Sequence, residues 1–227
     1  MEQLFDLSEE YDAMLNEGLA ISGENKMFYI EGRIEDIKAN ITDLGKVLRI
    51  LDFGCGIGDS TARLAAHFPK AIQITGTDLS EEALVYARQR HGSDTVNFIN
   101  LEDLKSRDHF DLCYVNGVFH HIELDQRQGA IALIYTALKK GGHFALCENN
   151  PYNPGTQYIM SKIPFDRDAK KISPASCRNL IRSGGFNTIL STRFLFYFPR
   201  FLSPFRVLEK YLTGIPLGAQ YYVMAVK

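Results

Sequence analysis

The chain has 227 residues, 45% of them hydrophobic and 23% charged, enough for one large domain with additions and too few for two well-stocked cores. Its 25 Lys and Arg nearly balance 27 Asp and Glu, and the formal charge of −2 offers no general basic field for a nucleic-acid backbone. An acidic, amphipathic start and the lack of any run of about 18 apolar residues predict neither a secretory leader nor a spanning helix, and four widely spaced cysteines make a reducing cytoplasm the expected setting.

Residues 1–44 read as mostly helical and are expected to cap a cleft. From 47 onward, short apolar runs rich in β-branched residues alternate with turns and helical patterns, the rhythm of a parallel sheet with crossover helices. VLRILDF (47–53) predicts the first strand, followed by a glycine loop and a helix from Ser60 to His67. AIQITGTD (71–78) is the second strand, and Ser80 with Glu81 and Glu82 opens a helix to about Arg90. TVNFIN (95–100) and FDLCYVN (110–116) follow as strands. A helix is predicted from about Asp125 to Lys140, with Ile131, Ile134, Tyr135 and Leu138 on one face and Gly141–Gly142 as its stop.

HFALCEN (143–149) is the fifth strand, and Ser173 with Pro174 starts a short helix ending at Gly184–Gly185. Further strands are expected near 188–198 and 220–226. The pieces 150–172 and 199–218 stand outside the rhythm and are expected to shape an acceptor site beside the strand ends. The aromatic content is uneven: FLFYFPRFLSPF, 194–205, places six Phe or Tyr in twelve positions.

Asp52-Phe53-Gly54-Cys55-Gly56-Ile57-Gly58 directly follows the first strand. Glycines there let the backbone turn tightly and approach a ligand with no Cβ in the way. A nicotinamide dinucleotide fingerprint needs a small residue at position 59, where this chain has Asp59, so a NAD-dependent enzyme is the weaker alternative. Asp78 ends the second strand, where a carboxylate can accept bonds from both ribose hydroxyls. Glu102 and Asp103 follow the third strand, within reach of an exocyclic amine or simply in a solvated turn.

The ordered set DFGCGIG (52–58), TGTDLS (75–80), NLEDL (100–104), FDLCYVNGVFHHI (110–122) and LKKGGHFALCEN (138–149) resembles the class I S-adenosylmethionine-dependent methyltransferases, over about 45–190 and on to the terminal strand. The resemblance implies an α/β Rossmann-like sandwich with a seven-stranded sheet in the order 3-2-1-4-5-7-6, the last strand antiparallel. It also implies S-adenosylmethionine as cofactor. Gly54, Cys55 and Gly56 would line its methionine part and Asp52 would hold the loop or the ammonium. Asp78 would bind the ribose, with Leu79 and Leu101 beside adenine and Glu102 or Asp103 at its amino group. Asn116 and Gly117 would lie near the sulfonium, and Tyr11 would reach the cofactor from the N-terminal segment.

Methyl transfer needs alignment and dryness first, and a general base only where the nucleophile must lose a proton. His120, His121 and Glu148 are the candidates for that step, with a loop-shaping role for the histidines as the alternative. Asn150 and Tyr152 are candidate substrate contacts, or members of a cluster of turn formers. No pair of histidines has metal-ligand spacing, and Cys55, Cys113, Cys147 and Cys177 read as reduced thiols with no disulfide or zinc pattern. The expected activity is methyl transfer to a small-molecule or glycolipid-like acceptor, oxygen being favoured; a scaffold subunit without turnover stays open. Phe201, Leu202, Phe205 and Leu208, with basic neighbours, predict a lid, a homodimer contact, or contact with an anionic membrane surface.

Overall fold

The computed structural model describes residues 18–41, 43–163 and 169–227. Helix α1 (Lys26–Ala39) starts where the Asn25 side chain accepts the Phe28 N–H. Its buried face carries Tyr29, Ile30, Arg33, Ile34 and Ile37. The alternating part follows as β1 (Arg49–Phe53), α2 (Asp59–His67), β2 (Gln73–Asp78), α3 (Glu81–His91), β3 (Val96–Asn100), β4 (Phe110–Asn116), α4 (Arg127–Ala137) and β5 (Leu138–Asn149). Next come α5 (Pro154–Lys162), α6 (Pro174–Ser183), β6 (Thr188–Leu195) and β7 (Gln220–Val226). The caps expected at Ser80 and Ser173 form, with their hydroxyls accepting from the N–H of Ala83 and Ser176.

The seven strands lie in the order β3-β2-β1-β4-β5-β7-β6. β1 to β5 pair in parallel, and β7 runs antiparallel to both its neighbours. Two-residue alternation splits the core into two layers. Cys113 and Val115 join Phe144, Leu146 and Ile181 on one face, while Leu112 and Tyr114 join Ile30, Ile34, Ile50 and Ile74 on the other. Helix α1 therefore buries its isoleucines in the same core as the sheet. Cys113 and Cys147 sit on opposite faces, and all four cysteines are free thiols.

Two expectations are corrected. The helix predicted to reach Lys140 stops at Ala137, and β5 begins at Leu138 with an irregularity in its pairing to β4 between Phe110 and Leu112; Gly141, at φ 80°, belongs to this stretch. β6 stops at Leu195 because Phe196 turns to φ 63°. Segment 150–172 contains helix α5, started by the Asn153 cap and Pro154 at its first position, a pairing that reads equally well as a turn.

Candidate active site

The strand order reverses between β1 and β4, and open α/β sheets bind ligands in the crevice beyond that point. A cavity of about 870 Å³ lies there, walled by α1, the loops after β1, β2 and β4, the start of α4, and α5. Gly54, Gly56 and Gly58 all have positive φ, at 74°, 52° and 87°. Gly54 and Cys55 donate their N–H groups to the Thr77 carbonyl at 2.8 and 2.9 Å, which ties the loop to β2. A Cβ on Gly54 would meet Val118 at 2.4 Å, whereas one on Gly56 would meet nothing within 4 Å, so the backbone at Gly56 faces open space. The loop is a cradle with room above it.

Two carboxylates frame that cradle. Asp78 accepts from the N–H of Gly56 at 2.8 Å and of Ser80 at 3.0 Å, fixing its oxygens at the cavity wall. Asp52 is buried and accepts from the Thr61 hydroxyl at 2.6 Å. Burial, helped by the Asp78 charge and opposed by the Thr61 hydrogen bond, pushes its pKa up to about 7. The thiol of Cys55 is pushed well up by burial and by both acids, which keeps it protonated and suits a small spacer. Asp59 lines the wall too. Burial raises its pKa, but the Lys26 ammonium at 2.7 Å and His91 outweigh that and hold it below the usual range.

Arg33 is the residue the sequence reading missed. Only 4% of it is exposed, yet it lines the cavity. Its Nε donates to the Tyr114 phenol at 3.1 Å and Nη1 to Gln220 Oε1 at 2.6 Å. No carboxylate among the described residues forms an ion pair with it: Asp36, one turn away, is engaged by Arg193 at 2.7 and 2.9 Å and by the Tyr222 hydroxyl. A guanidinium buried without an anion is costly. The signal was an arginine inside the apolar stripe formed by Tyr29, Ile30, Ile34 and Ile37.

Beyond β4, Asn116, Gly117, Val118, His120 and His121 line the cavity. Glu148, predicted to point into the cleft, lies behind that wall: it is buried and absent from the lining. Its Oε2 lies 2.6 Å from His120 Nδ1, and its Oε1 accepts the Phe119 N–H at 2.9 Å. It holds the His120 ring and the Phe119 backbone from outside the cavity. The two imidazoles lie with ring centres 4.1 Å apart.

Asn150 and Tyr152 fall away from the cavity, and the turn-former reading fits their placement. Asn150 is fully buried and spends its amide on the fold: Nδ2 donates to the carbonyls of Pro216 and Gly218, and Oδ1 accepts the Tyr152 N–H. Tyr152 is exposed and outside the lining. Asn149, Thr156, Ile159, Met160 and Ile163 form that wall instead. Leu79 and Leu101 line the cavity, while Glu102 and Asp103 are exposed on a short 3-10 turn outside it. No residue of 199–218 lines the cavity, so the aromatic insertion is not its lid. Tyr11 lies outside the described residues. Among the described residues, Glu31, Glu35 and His67 could together offer atoms to a metal, but none lines the cavity, and Glu31 already pairs with Arg63 and His67.

A doubly wound sheet with a reversed β6–β7 end, a glycine cradle after β1 and an acid ending β2 define the class I S-adenosylmethionine-dependent methyltransferase fold. Residues 51–144 match the family described as a methyltransferase domain, in agreement with this fold. It is similar to a trans-aconitate 2-methyltransferase of Variovorax paradoxus, 35% identical over 45% of this chain and 39% of that protein. A malonyl-[acyl-carrier protein] O-methyltransferase of Bacillus cytotoxicus is 35% identical over 42% of this chain and 33% of its own. The chain thus spans well under half the length of these two relatives. Among solved structures, a SAM-dependent methyltransferase of Thermotoga maritima superposes with a TM-score of 0.70 at 22% identity, covering the whole of both chains.

S-adenosylmethionine, the cofactor of this class, fits the residues present. Backbone open at Gly56, a fixed acid at Asp78, and a buried acid and buried guanidinium in one cavity match a ribose next to an α-amino-acid head.

Proposed function

We propose that this chain transfers a methyl group from S-adenosylmethionine to an oxygen of a small-molecule or glycolipid-like acceptor. The observation that carries this reading is the pairing of Asp52 and Arg33 with the Gly54–Gly56 cradle in a cavity that also reaches His120. Bound there, S-adenosylmethionine supplies a sulfonium-activated methyl that an aligned nucleophile can take by in-line displacement. Asp78 would accept from the ribose hydroxyls, Leu79 and Leu101 would flank adenine, Asp52 would face the ammonium, and Arg33 would take the carboxylate.

The chain's own work is then to place an acceptor oxygen and exclude water, worth about 7 to 11 kcal/mol in well-oriented reactions. The apolar face of α5 and the rim at Asn149 and Thr156 form the acceptor side. With Nδ1–H donated to Glu148, Nε2 is the basic nitrogen of His120 and takes the proton of an acceptor hydroxyl. Oxygen as acceptor atom agrees with the relative named an O-methyltransferase.

Calorimetric titration of the full chain with S-adenosylhomocysteine tests the reading, and no binding at millimolar ligand overturns it. Arg33→Met should weaken S-adenosylhomocysteine while leaving 5′-methylthioadenosine, which lacks the amino-acid end, unchanged. Turnover separates the enzyme from a scaffold subunit: S-adenosylhomocysteine accumulates from S-adenosylmethionine only when a fraction containing the acceptor is added.

A further inference from the structure

Residues 199–218 invert the usual order of a surface segment. The chain runs as a kinked 3-10 stretch, Arg200–Leu208, into a one-turn helix, Glu209–Leu212. Its charged residues Arg206 and Glu209 turn inward: Arg206 pairs with Glu24 at 2.9 Å and lies over the Phe28 ring, and Glu209 accepts the N–H groups of Tyr197 and Phe198. The Tyr197 hydroxyl reaches the carbonyls of Leu212 and Ile215. Held in this way, the segment turns its apolar side chains out. Phe201 is 78% exposed and Tyr211 74%, with Val207, Phe205, Leu208 and Leu217 exposed beside them. Six exposed apolar side chains on one short segment point to an interaction site.

The charge around it selects the partner. Arg200 and Lys210 are exposed on the same segment, and Lys162 lies over the exposed Tyr158 ring of α5. Across 150–163 and 199–218 the sole carboxylate is Glu209, which is spent on backbone N–H groups. A second copy apposed through the same patch would set these cations against one another with no acid to answer them. Aromatic and aliphatic side chains rimmed by cations match the headgroup layer of an anionic membrane.

We propose that the 199–218 projection docks this protein on an anionic lipid surface. A polar seam joins the docking segment to the acceptor wall. Asn150 donates to the carbonyls of Pro216 and Gly218, Asn153 to that of Leu217 and Thr156 to that of Ala219, and Thr156 belongs to α5, which lines the cavity. Resting on the methyl-transfer reading above, this makes the acceptor a lipid-linked molecule taken from that layer.

Flotation of the full chain with vesicles of phosphatidylglycerol and phosphatidylcholine, and with phosphatidylcholine alone, tests the docking. The wild-type chain should float with the anionic vesicles at low salt and remain below with the neutral ones. The Phe201→Ser, Tyr211→Ser double variant, altered only at exposed positions, should lose flotation while keeping the wild-type unfolding temperature and S-adenosylhomocysteine affinity. Absence of wild-type flotation, equal flotation with neutral vesicles, unchanged flotation of the double variant, or a dimer in sedimentation that the double variant abolishes would each overturn the proposal. Because S-adenosylhomocysteine binding is measured without lipid, failure of docking and failure of the methyltransferase reading are read separately.

Discussion

Glu148 clasps His120 from behind: one carboxylate oxygen lies 2.6 Å from Nδ1 and the other accepts the Phe119 N–H at 2.9 Å, both residues being nearly inaccessible. One acid at the end of β5 thereby fixes both the imidazole and the backbone of the loop after β4. If His120 is the base, His120→Gln should lower kcat by roughly 10²- to 10⁴-fold with little change in S-adenosylhomocysteine affinity. Glu148→Gln should lower kcat less and displace the pH–rate profile, a change that a purely structural acid would not cause. Full turnover by His120→Gln across the pH range removes the base from the mechanism.

If Asp52 faces the cofactor ammonium as proposed, its raised pKa should make cofactor binding pH-dependent. A cofactor ammonium pairs with the ionised form, and burial holds Asp52 protonated up to about pH 7. S-adenosylhomocysteine should therefore bind about tenfold more weakly at pH 6 than at pH 8, following the loss of the ionised fraction. Asp52→Asn, measured by titration calorimetry, should flatten this dependence. For the ligand-free protein the sign is opposite. A carboxyl whose pKa is raised by folding contributes stability at low pH that is lost as the pH rises toward 7, so Asp52→Asn should raise the unfolding temperature most at pH 8.

Gly54 combines φ 74° with a would-be Cβ 2.4 Å from Val118. Gly54→Ala should destabilise by about 1–3 kcal/mol through backbone strain and overpacking. Adding Val118→Ala should recover the packing part and leave the strain. Gly56→Ala meets no atom within 4 Å, so its cost in stability should come from φ 52° alone, with an added loss of cofactor affinity as the Cβ fills the cradle. Chemical denaturation with and without S-adenosylhomocysteine separates the two contributions.

Asn150 is a structural tie, and its replacement should read as one. Asn150→Ala leaves the carbonyls of Pro216 and Gly218 without their donor and should cost about 1–3 kcal/mol. Cofactor affinity should be unchanged in calorimetry. A large loss of stability alone separates this role from that of a substrate contact, which would leave stability intact and raise KM.

Most of the sheet was legible because each strand is a local apolar run and several of the turns carry a glycine or proline. The glycine loop was legible for the same reason: Asp52 and Asp78 lie at the ends of β1 and β2, and Gly54 and Gly56 just beyond β1. Errors came where one short string suits two structures. Asn149-Asn150-Pro151-Tyr152-Asn153-Pro154 holds good turn formers and a good helix start, and only the docking of 216–219 against it decided that Asn150 and Asn153 would serve the fold.

From the sequence by itself came the fold class and the place of the glycine loop, since these depend on periodicity and on residues near one another in the chain; the strand order came by resemblance alone. Tertiary structure decided what long-range contact creates. It set Glu148 behind His120, 28 residues away; it carried Arg33 to Tyr114 and Gln220, 81 and 187 residues away; and it took the aromatic insertion off the cavity and turned it outward. The physical reason is burial. Which side chain loses water depends on what folds over it, and local pattern carries no record of that.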